Sequence, residues 1–414
     1  MKLKTCIKNK YGKSEIPENT VNRLDAAIRE LYEYKYMEEM VSNHLYWSAL
    51  FIDELEFRSM GKGVSSILSR ASALAEAAEW LTVKEIGLLP GYLVSHQKEL
   101  ENPLRIEDLL SHISTDEARV IETIKNSDCA QHWVDGYSLM DNSTIKVPIE
   151  YIRRISGPNG VAAGNNIEEA LDHALNEIFE RRAHITVLRN KMVVPTIDIT
   201  TIDNPIILEQ IDFVKSKGIE VYIKDLSFGG ELPCIGAYFL DTNIPGDFQF
   251  KHFFKVGSSF NREDALIRCF TEYTQGRKLN EFIQGRKDEQ ERILKYDFRN
   301  LKCMSNDDDN FLSSFMFGMV PYADANFLKE GNIIAFDKGE CFNDFIDDIE
   351  KAKEICGKLG KDCIIVDFTD PRIKFPVVQV IIPGYSDILP YHSHLSPVLL
   401  KKISRKDVLD SYHL

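Results

Sequence analysis

Hydrophobic and polar positions follow two rhythms along this chain, one helical and one alternating. The clearest helical rhythm runs from Asn159 to Arg182, NGVAAGNNIEEALDHALNEIFERR. A glycine-punctuated turn, Gly160 to Gly164, leads into a helix predicted over 166–190. Asn165 stands at the N-cap position with Glu168 three residues on, the spacing of a capping box. At about 100° per residue, Ile167, Ala170, Leu171, Ala174, Leu175 and Ile178 fall on one side. Glu169, His173, Asn176 and Glu180 fall on the other, with Glu177 beside them. Three carboxylates share this face with no Lys or Arg among them, and repel by roughly a few tenths of a kcal/mol per pair. From this helix alone two readings stay open: an acidic face in solvent, or carboxylates gathered around a cation.

Helical spacing also marks 17–34, starting at Pro17, and about 65–84, which contains SRASALAEAAEWL. It returns at 205–218, ending at Gly218, and from near Asn261, with Asp264 placed to cap it, to about Phe282. A last helix is predicted over 341–359, closed by Gly360. Alternation marks strands at 45–58, and at 133–139 and 144–152 around an MDNS turn. Further strands are predicted at 192–198, 219–226, 234–240 and 252–259, then at NIIAF, CIIVDF and VVQVIIPG. GKG at 61–63 reads as a turn, 88–128 as irregular helix, and 283–312, with its NDDDN run, as a polar surface loop. The mixture is an α+β (mixed α/β) layout. No stretch rich in Pro, Gly or Ser marks a boundary, so a single domain is expected over 1–414.

Composition narrows the function class. The net charge of −14 disfavours general nucleic-acid binding and anionic membrane surfaces. MKLKTCIKNKYGK has no apolar signal core, and no apolar run approaches the roughly 18–20 residues of a membrane span. A soluble, cytoplasmic protein is expected. Eight cysteines occur without a CxxC, so they are expected to be reduced and structural.

Two further helices repeat the polar face. Ser72, Glu76 and Glu79 fall within about 60° of one another, while Leu74, Ala78 and Leu81 face elsewhere. Arg268, Glu272 and Gln275 share a side of the third helix. Oxygen-rich sites of this kind suit hard cations such as Mg²⁺, which takes few protein carboxylates and favours phosphate as a co-ligand. A Mg²⁺–nucleotide site is the consequence. Neither GxxxxGK[ST] nor GxGxxG is present, so any ATP site is of a less common type.

The same segments carry a family resemblance. SRASALAEAAEW resembles the Sx₃ExxE helix of YcaO-domain proteins, and NGVAAGNNIEEALDHALNEIFER is similar to their AGN…E…ExxER segment. ALIRCFTEYTQGR resembles the third segment, and GKG and VVQVIIPGYSDILP also match. The hits stand in family order from residue 12 to 390. The resemblance implies a YcaO-type ATP-binding domain with helices packed on mixed or antiparallel sheets. Residues 1–60 would close on the nucleotide, 61–285 would form the ATP/Mg²⁺ core, 286–312 a polar loop, and 313–414 the C-terminal part. It further implies ATP- and Mg²⁺-dependent activation of a peptide backbone amide, leading to an azoline, a thioamide or an amidine. Another branch is an accessory to methylthiolation of a ribosomal protein. The QGR ending, PGYSDILP and GKSEIPENT look closest to that branch.

Carried over, the resemblance assigns Glu76, Glu79, Glu169, Glu177 and Glu180 to Mg²⁺. It assigns Ser72, Asn165, Arg181, Arg268 and Gln275 to the nucleotide, with Lys13 and Thr20 closing over it and Arg277 as a weaker member. Glu180 and Arg181 are its catalytic candidates. A peptide or protein substrate, a homodimer, and a TfuA-like, substrate-recognition or methylthiotransferase partner are the implied associations. Trp80 departs from the family's Arg, Gly157-Pro158 precedes Asn159 where Ser is common, and KDVLDSYHL lacks the Pro-rich ending of azoline-forming members.

Other groups have plainer readings. His392 and His394 lack a third metal partner. His173 is either a polar-face residue or a metal or phosphate contact. Lys62 is a turn lysine or a ligand contact, and Arg181 has a salt-bridge alternative. Cys234 and Cys269 read as structural. Phe253, Phe254 and Phe260 read as core rather than a stacking platform.

Overall fold

A computed structural model describes residues 1–83, 86–110, 129–244, 251–277, 318–322 and 324–387. In chain order, α1 (Pro17–Leu31) precedes β1 (Lys35–Ser42), β2 (Leu45–Ile52), β3 (Phe57–Gly63) and α2 (Ser66–Val83). Then come β4 (Leu93–Ser95), α3 (Ile106–Leu110), β5 (Gln131–Ser138), β6 (Ser143–Pro148), α4 (Ile149–Ile155), β7 (Val161–Ala163) and α5 (Ile167–Arg189). They are followed by β8 (Thr196–Ile197), α6 (Pro205–Ser216), β9 (Ile219–Asp225), β10 (Cys234–Asp241), β11 (His252–Ser258) and α7 (Arg262–Thr274). The last are β12 (Ile333–Ile334), α8 (Phe345–Lys358), β13 (Ile364–Asp367) and β14 (Val377–Ile381).

Among the described residues the strands form three sheets, ordered β1-β2-β3, β11-β10-β9-β8-β12 and β4-β5-β13-β14-β7, with β6 paired to β5. Among the described strand pairings, β8–β12 is parallel and the others are antiparallel. The fold is α+β.

Helix α5 is the hub. It packs on β14 of one sheet and β11 of another, and against α8. Its stripe of Leu171, Ala174, Leu175 and Ile178 is fully buried with Phe254, Val378 and Val380. Full burial of each large aliphatic side chain stabilises by about 1.5–3 kcal/mol. Enclosure from two sheets also covers polar positions. Glu169 is only 2% exposed, which removes the reading of a solvent-facing acidic stripe at that position. Asn176 is buried and satisfied: it donates to Asp172 Oδ1 at 2.8 Å and accepts from Ser258 Oγ at 2.9 Å.

Several local expectations change. The cap of α5 is Asn166, not Asn165: its side chain accepts from Glu169 N–H at 2.9 Å and its backbone is extended. The strand expected over 45–58 is two strands, β2 and β3, joined by a short turn at Asp53–Leu55. GKG belongs to β3 rather than to a turn, and β1 was not foreseen. The strand expected over 144–152 stops at Pro148, where α4 begins. The one expected over 192–198 shrinks to Thr196–Ile197. Within 88–110, β4 and short helices replace a long irregular helix. α7 ends at Thr274, with Gln275 in extended backbone, well short of Phe282. Its cap is Asn261, which accepts from Glu263 N–H and donates to Asp264 Oδ2 at 2.9 Å. α8 starts later than expected because Asp344 caps it through Ile346 N–H. The loop expected over 283–312 and His392 and His394 lie outside the described residues.

Phe253, Phe254 and Phe260 are buried, as a core reading requires. Cys234 and Cys269 are buried too, and burial pushes both thiols up, which makes them poor nucleophiles. Among the described residues, no helix is long and apolar enough to cross a membrane.

Candidate functional site

Three helices meet with their polar faces inward, and two of them are seated by a glycine. A Cβ on Gly61 of β3 would lie 2.1 Å from Ala73 N and from Ser69 O, backbone atoms of α2. A Cβ on Gly257 of β11 would lie 2.1 Å from Ala265 O of α7. Helix backbone therefore rests directly on strand backbone at both places, which only glycine permits. Alternation along β3 then turns Lys62 to the face opposite Gly61, toward α7.

The resulting cluster contains Glu76 and Glu79 from α2, Glu177, Glu180 and Arg181 from α5, Glu272 from α7, Lys62 from β3 and Lys255 from β11. Lys62 Nζ lies 2.9 Å from Glu272 Oε1. Burial opposes the Glu272 charge, but Lys62 and Lys255 overcome it and hold that carboxyl at about 2. The other acids lack such compensation. Burial pushes Glu79 up to about 8, with Glu177 and Glu76 adding repulsion against the pull of the Ala163 N–H, which donates to Glu79 Oε1 at 2.7 Å. Burial also raises Glu180 to about 8, with Glu272 repelling it, and raises Glu177 to about 7 against the pull of Arg181. Glu76 is raised by burial as well. Arg181 Nη2 approaches Glu177 Oε1 at 3.6 Å.

A second group sits at the N-terminal end of α5. Ser14 donates to Glu169 Oε2 through both its N–H (3.0 Å) and its hydroxyl (2.6 Å). Asn165 Nδ2 donates to the same carboxylate at 3.1 and 3.3 Å, and Thr20 Oγ1 donates to Asn165 Oδ1 at 2.7 Å. Moving the cap to Asn166 is what frees the Asn165 side chain for this bridge. Lys13 Nζ stands 3.7 Å from Glu169 Oε1 and 2.8 Å from His173 Nε2. Burial resists the Glu169 charge, yet Lys13 and the Ser14 hydrogen bonds hold it at about 2. Burial and Lys13 push His173 down to about 3, so its imidazole is neutral near pH 7.

The structure thus gathers Glu76, Glu79, Glu177, Glu180 and Arg181 in one cluster, and Lys13, Thr20, Asn165 and Glu169 in an adjoining one. Ser72 lies on α2 one turn before Glu76. Arg268, on α7, acts electrostatically on Lys13, Asp172 and His173. Gln275 Nε2 donates to Met60 O at 3.0 Å and braces β3, which leaves its amide oxygen and second N–H for other partners. The Arg277 guanidinium lies over the Phe253 ring, 3.4 Å from its centroid. Sequence reasoning missed Lys255 and Ser14 and left Lys62 undecided. A lone lysine in the apolar strand HFFKVGS was the available signal for Lys255. No local pattern distinguishes Ser14.

Among the described residues, no three His, Cys, Asp or Glu side chains already stand at metal-binding spacing. The donor chemistry nevertheless fits a hard dication. Four half-buried carboxylates from two helices crowd together, and burial raises each of them, Glu79, Glu177 and Glu180 to about 7–8, so a bound dication such as Mg²⁺ would offset their mutual repulsion.

Residues 60–386 match the family model described as YcaO cyclodehydratase, ATP- and Mg²⁺-binding. Over 257 residues the chain is 26% identical to the ribosomal protein S12 methylthiotransferase accessory factor YcaO of Escherichia coli K12. That alignment covers 60% of this chain and 40% of the relative, so the match spans less than half of that protein. A heterocyclase solved with substrate and cofactor superposes with a TM-score of 0.71 at 18% identity, over 97% of this chain and 57% of that one. YcaO from Methanopyrus kandleri, solved with AMPPCP and Mg²⁺, gives 0.63 at 15% identity, over 92% and 95%. At these identities the structural likeness establishes the shared fold. With the family model covering well over half of its residues, this chain belongs to the YcaO family of ATP- and Mg²⁺-binding proteins.

Proposed function

We propose that this chain uses Mg²⁺–ATP to activate a backbone amide of a peptide or protein by phosphorylating the amide oxygen, acting with a partner protein. The observation that carries this reading is the half-buried carboxylate cluster of Glu76, Glu79, Glu177 and Glu180, flanked by Lys62, Arg181 and Lys255. Those carboxylates, with Glu169 at the N-terminal end of α5, would hold Mg²⁺. Bound Mg²⁺ supplies charge neutralisation and orientation of the phosphates. Ser72, Asn165, Arg181, Arg268, Lys13 and Thr20 hold the nucleotide. Gln275, which also braces β3, joins them, with Arg277 as a weaker member.

An amide is a poor electrophile, and a phosphorylated amide oxygen is a good leaving group. The protein's task is to position the reactants and to stabilise charge on the transferring phosphoryl group, for which fixed cations such as Arg181 are suited. An incoming nucleophile then replaces the oxygen, giving an azoline, a thioamide or a related product.

The 26% identity to a named accessory factor favours one second reading: an ATP-binding accessory to a methylthiotransferase or sulfur-transfer pathway, without catalysis of its own. Incubation with Mg²⁺–ATP, candidate peptides and a sulfide source, followed by mass spectrometry, separates the two. Loss of one water from the peptide marks cyclodehydration, and exchange of oxygen for sulfur marks thioamidation. An unmodified peptide in the presence of each partner class, with ATP still bound, supports the accessory role.

A further inference from the structure

His173 sits on the polar face of α5 between the two carboxylate groups, and both of its ring nitrogens are engaged. Nδ1 lies 3.2 Å from the Ala163 carbonyl oxygen, which can only accept. Lys13 Nζ, at 2.8 Å from Nε2, can only donate. The two contacts together fix one neutral tautomer, with the proton on Nδ1 and the lone pair of Nε2 facing the ammonium.

Lys13 is delivered by a turn with its own internal bonds. Asn9 N–H donates to Lys13 O at 2.7 Å and Gly12 N–H donates to Asn9 O at 2.9 Å. Asn9 Oδ1 accepts from Tyr11 N–H at 2.8 Å. The chain on either side is anchored elsewhere. Lys8 N–H donates to Asn343 O at 2.8 Å, Lys8 Nζ pairs with Asp348 at 2.5 Å, and Thr20 is tied to Asn165. Within the turn, Lys13 and Ser14 are the residues that bond to α5. The residue that receives His173 also serves the other carboxylate group: the Ala163 carbonyl, of the 163–164 peptide, faces His173, and the Ala163 N–H, of the 162–163 peptide, donates to Glu79. Ala163 thus touches both groups, His173 through its carbonyl and Glu79 through its N–H.

Resting on the Mg²⁺–ATP reading, we propose that His173 is a positioning residue: its Nε2 seats the Lys13 ammonium beside Glu169 and holds the 9–14 turn ready over the nucleotide site. The seat acts by pre-organisation. A Lys13 without an acceptor must be ordered each time ligand binds, and that ordering cost appears as weaker ligand binding.

The test compares His173→Phe with His173→Gln, whose amide can donate toward Ala163 and accept from Lys13. Tryptic cleavage after the exposed Lys10 reports on the turn without nucleotide, and calorimetry reports Mg²⁺–ATP affinity. His173→Phe is expected to speed cleavage and weaken ATP binding about tenfold each, the latter equal to about 1.4 kcal/mol. His173→Gln should restore most of both losses. In a Lys13→Met background, His173→Phe should change neither quantity further. A folded His173→Phe with unchanged cleavage and affinity overturns the proposal, as do additive effects with Lys13→Met. If the unmodified chain binds no Mg²⁺–ATP, the functional reading fails, and the cleavage rates alone decide whether His173 seats Lys13.

Discussion

Lys62 Nζ and Glu272 Oε1 stand 2.9 Å apart, and this pair sets Glu272, held ionised, apart from Glu76, Glu79, Glu177 and Glu180, whose carboxyls burial raises. Removing one partner of a buried ion pair costs about 3–5 kcal/mol. Both of these side chains are partly open to water, so Lys62→Met is expected to cost less, about 1–3 kcal/mol. Urea denaturation measures the loss. The double variant Lys62→Met/Glu272→Gln should recover part of it, because the Glu272 charge is removed with its partner, while Lys255 loses its Glu272 attraction.

The acids raised by burial set a pH dependence. Glu79, Glu177 and Glu180 rise to about 8, 7 and 8 in the folded chain. The unfolded chain gives up the same protons near about pH 4.3. Their contribution to stability is thus complete at low pH and is lost as pH rises through the folded values. Glu169 and Glu272, both held at about 2, act oppositely: their contribution is lost as pH falls below about 4. In chelator, the thermal midpoint should fall between about pH 5 and pH 8. Added MgCl₂ should raise it more at about pH 8 than at about pH 6, since binding requires deprotonated ligands.

Glu180→Gln tests the ligand set while keeping the side-chain size. The expected result is loss of measurable Mg²⁺–ATP binding by calorimetry in a chain that remains folded. Chelator-treated Glu180→Gln should be at least as stable as the unmodified chain at about pH 8, because a half-buried charge repelled by Glu272 has been removed. Unchanged nucleotide affinity would take Glu180 out of the site.

Gly61→Ala tests how α2 is placed. The added Cβ would meet helix backbone at 2.1 Å, so α2 has to move. Overpacking of this kind costs about 1–3 kcal/mol. Because Ser72, Glu76 and Glu79 ride on α2, weaker Mg²⁺–ATP binding should accompany the drop in thermal midpoint. A variant with full stability and full affinity would show that this contact does not position the cluster.

The sequence alone determined the parts of this protein that depend on local spacing. The two faces of the 166–190 helix, the carboxylates on it and on the helix near residue 75, and the shared side of Arg268, Glu272 and Gln275 all follow from helical periodicity. The ordered set of these segments was enough to point to the family. Tertiary structure decided what lies beyond a few residues' reach. Asn165 looked like the cap, but α5 begins one residue later, and Asn165 instead joins Thr20, 145 residues away, to Glu169. GKG looked like a turn, and only its pairing with β2 made it a strand with Gly61 against α2 and Lys62 toward α7. His173 was one polar residue among several until Lys13, 160 residues distant, met it. Periodicity states which side chains share a face. Which cation answers which carboxylate, and so which acids stay short of charge, depends on contacts between elements far apart in the chain, which no local pattern encodes.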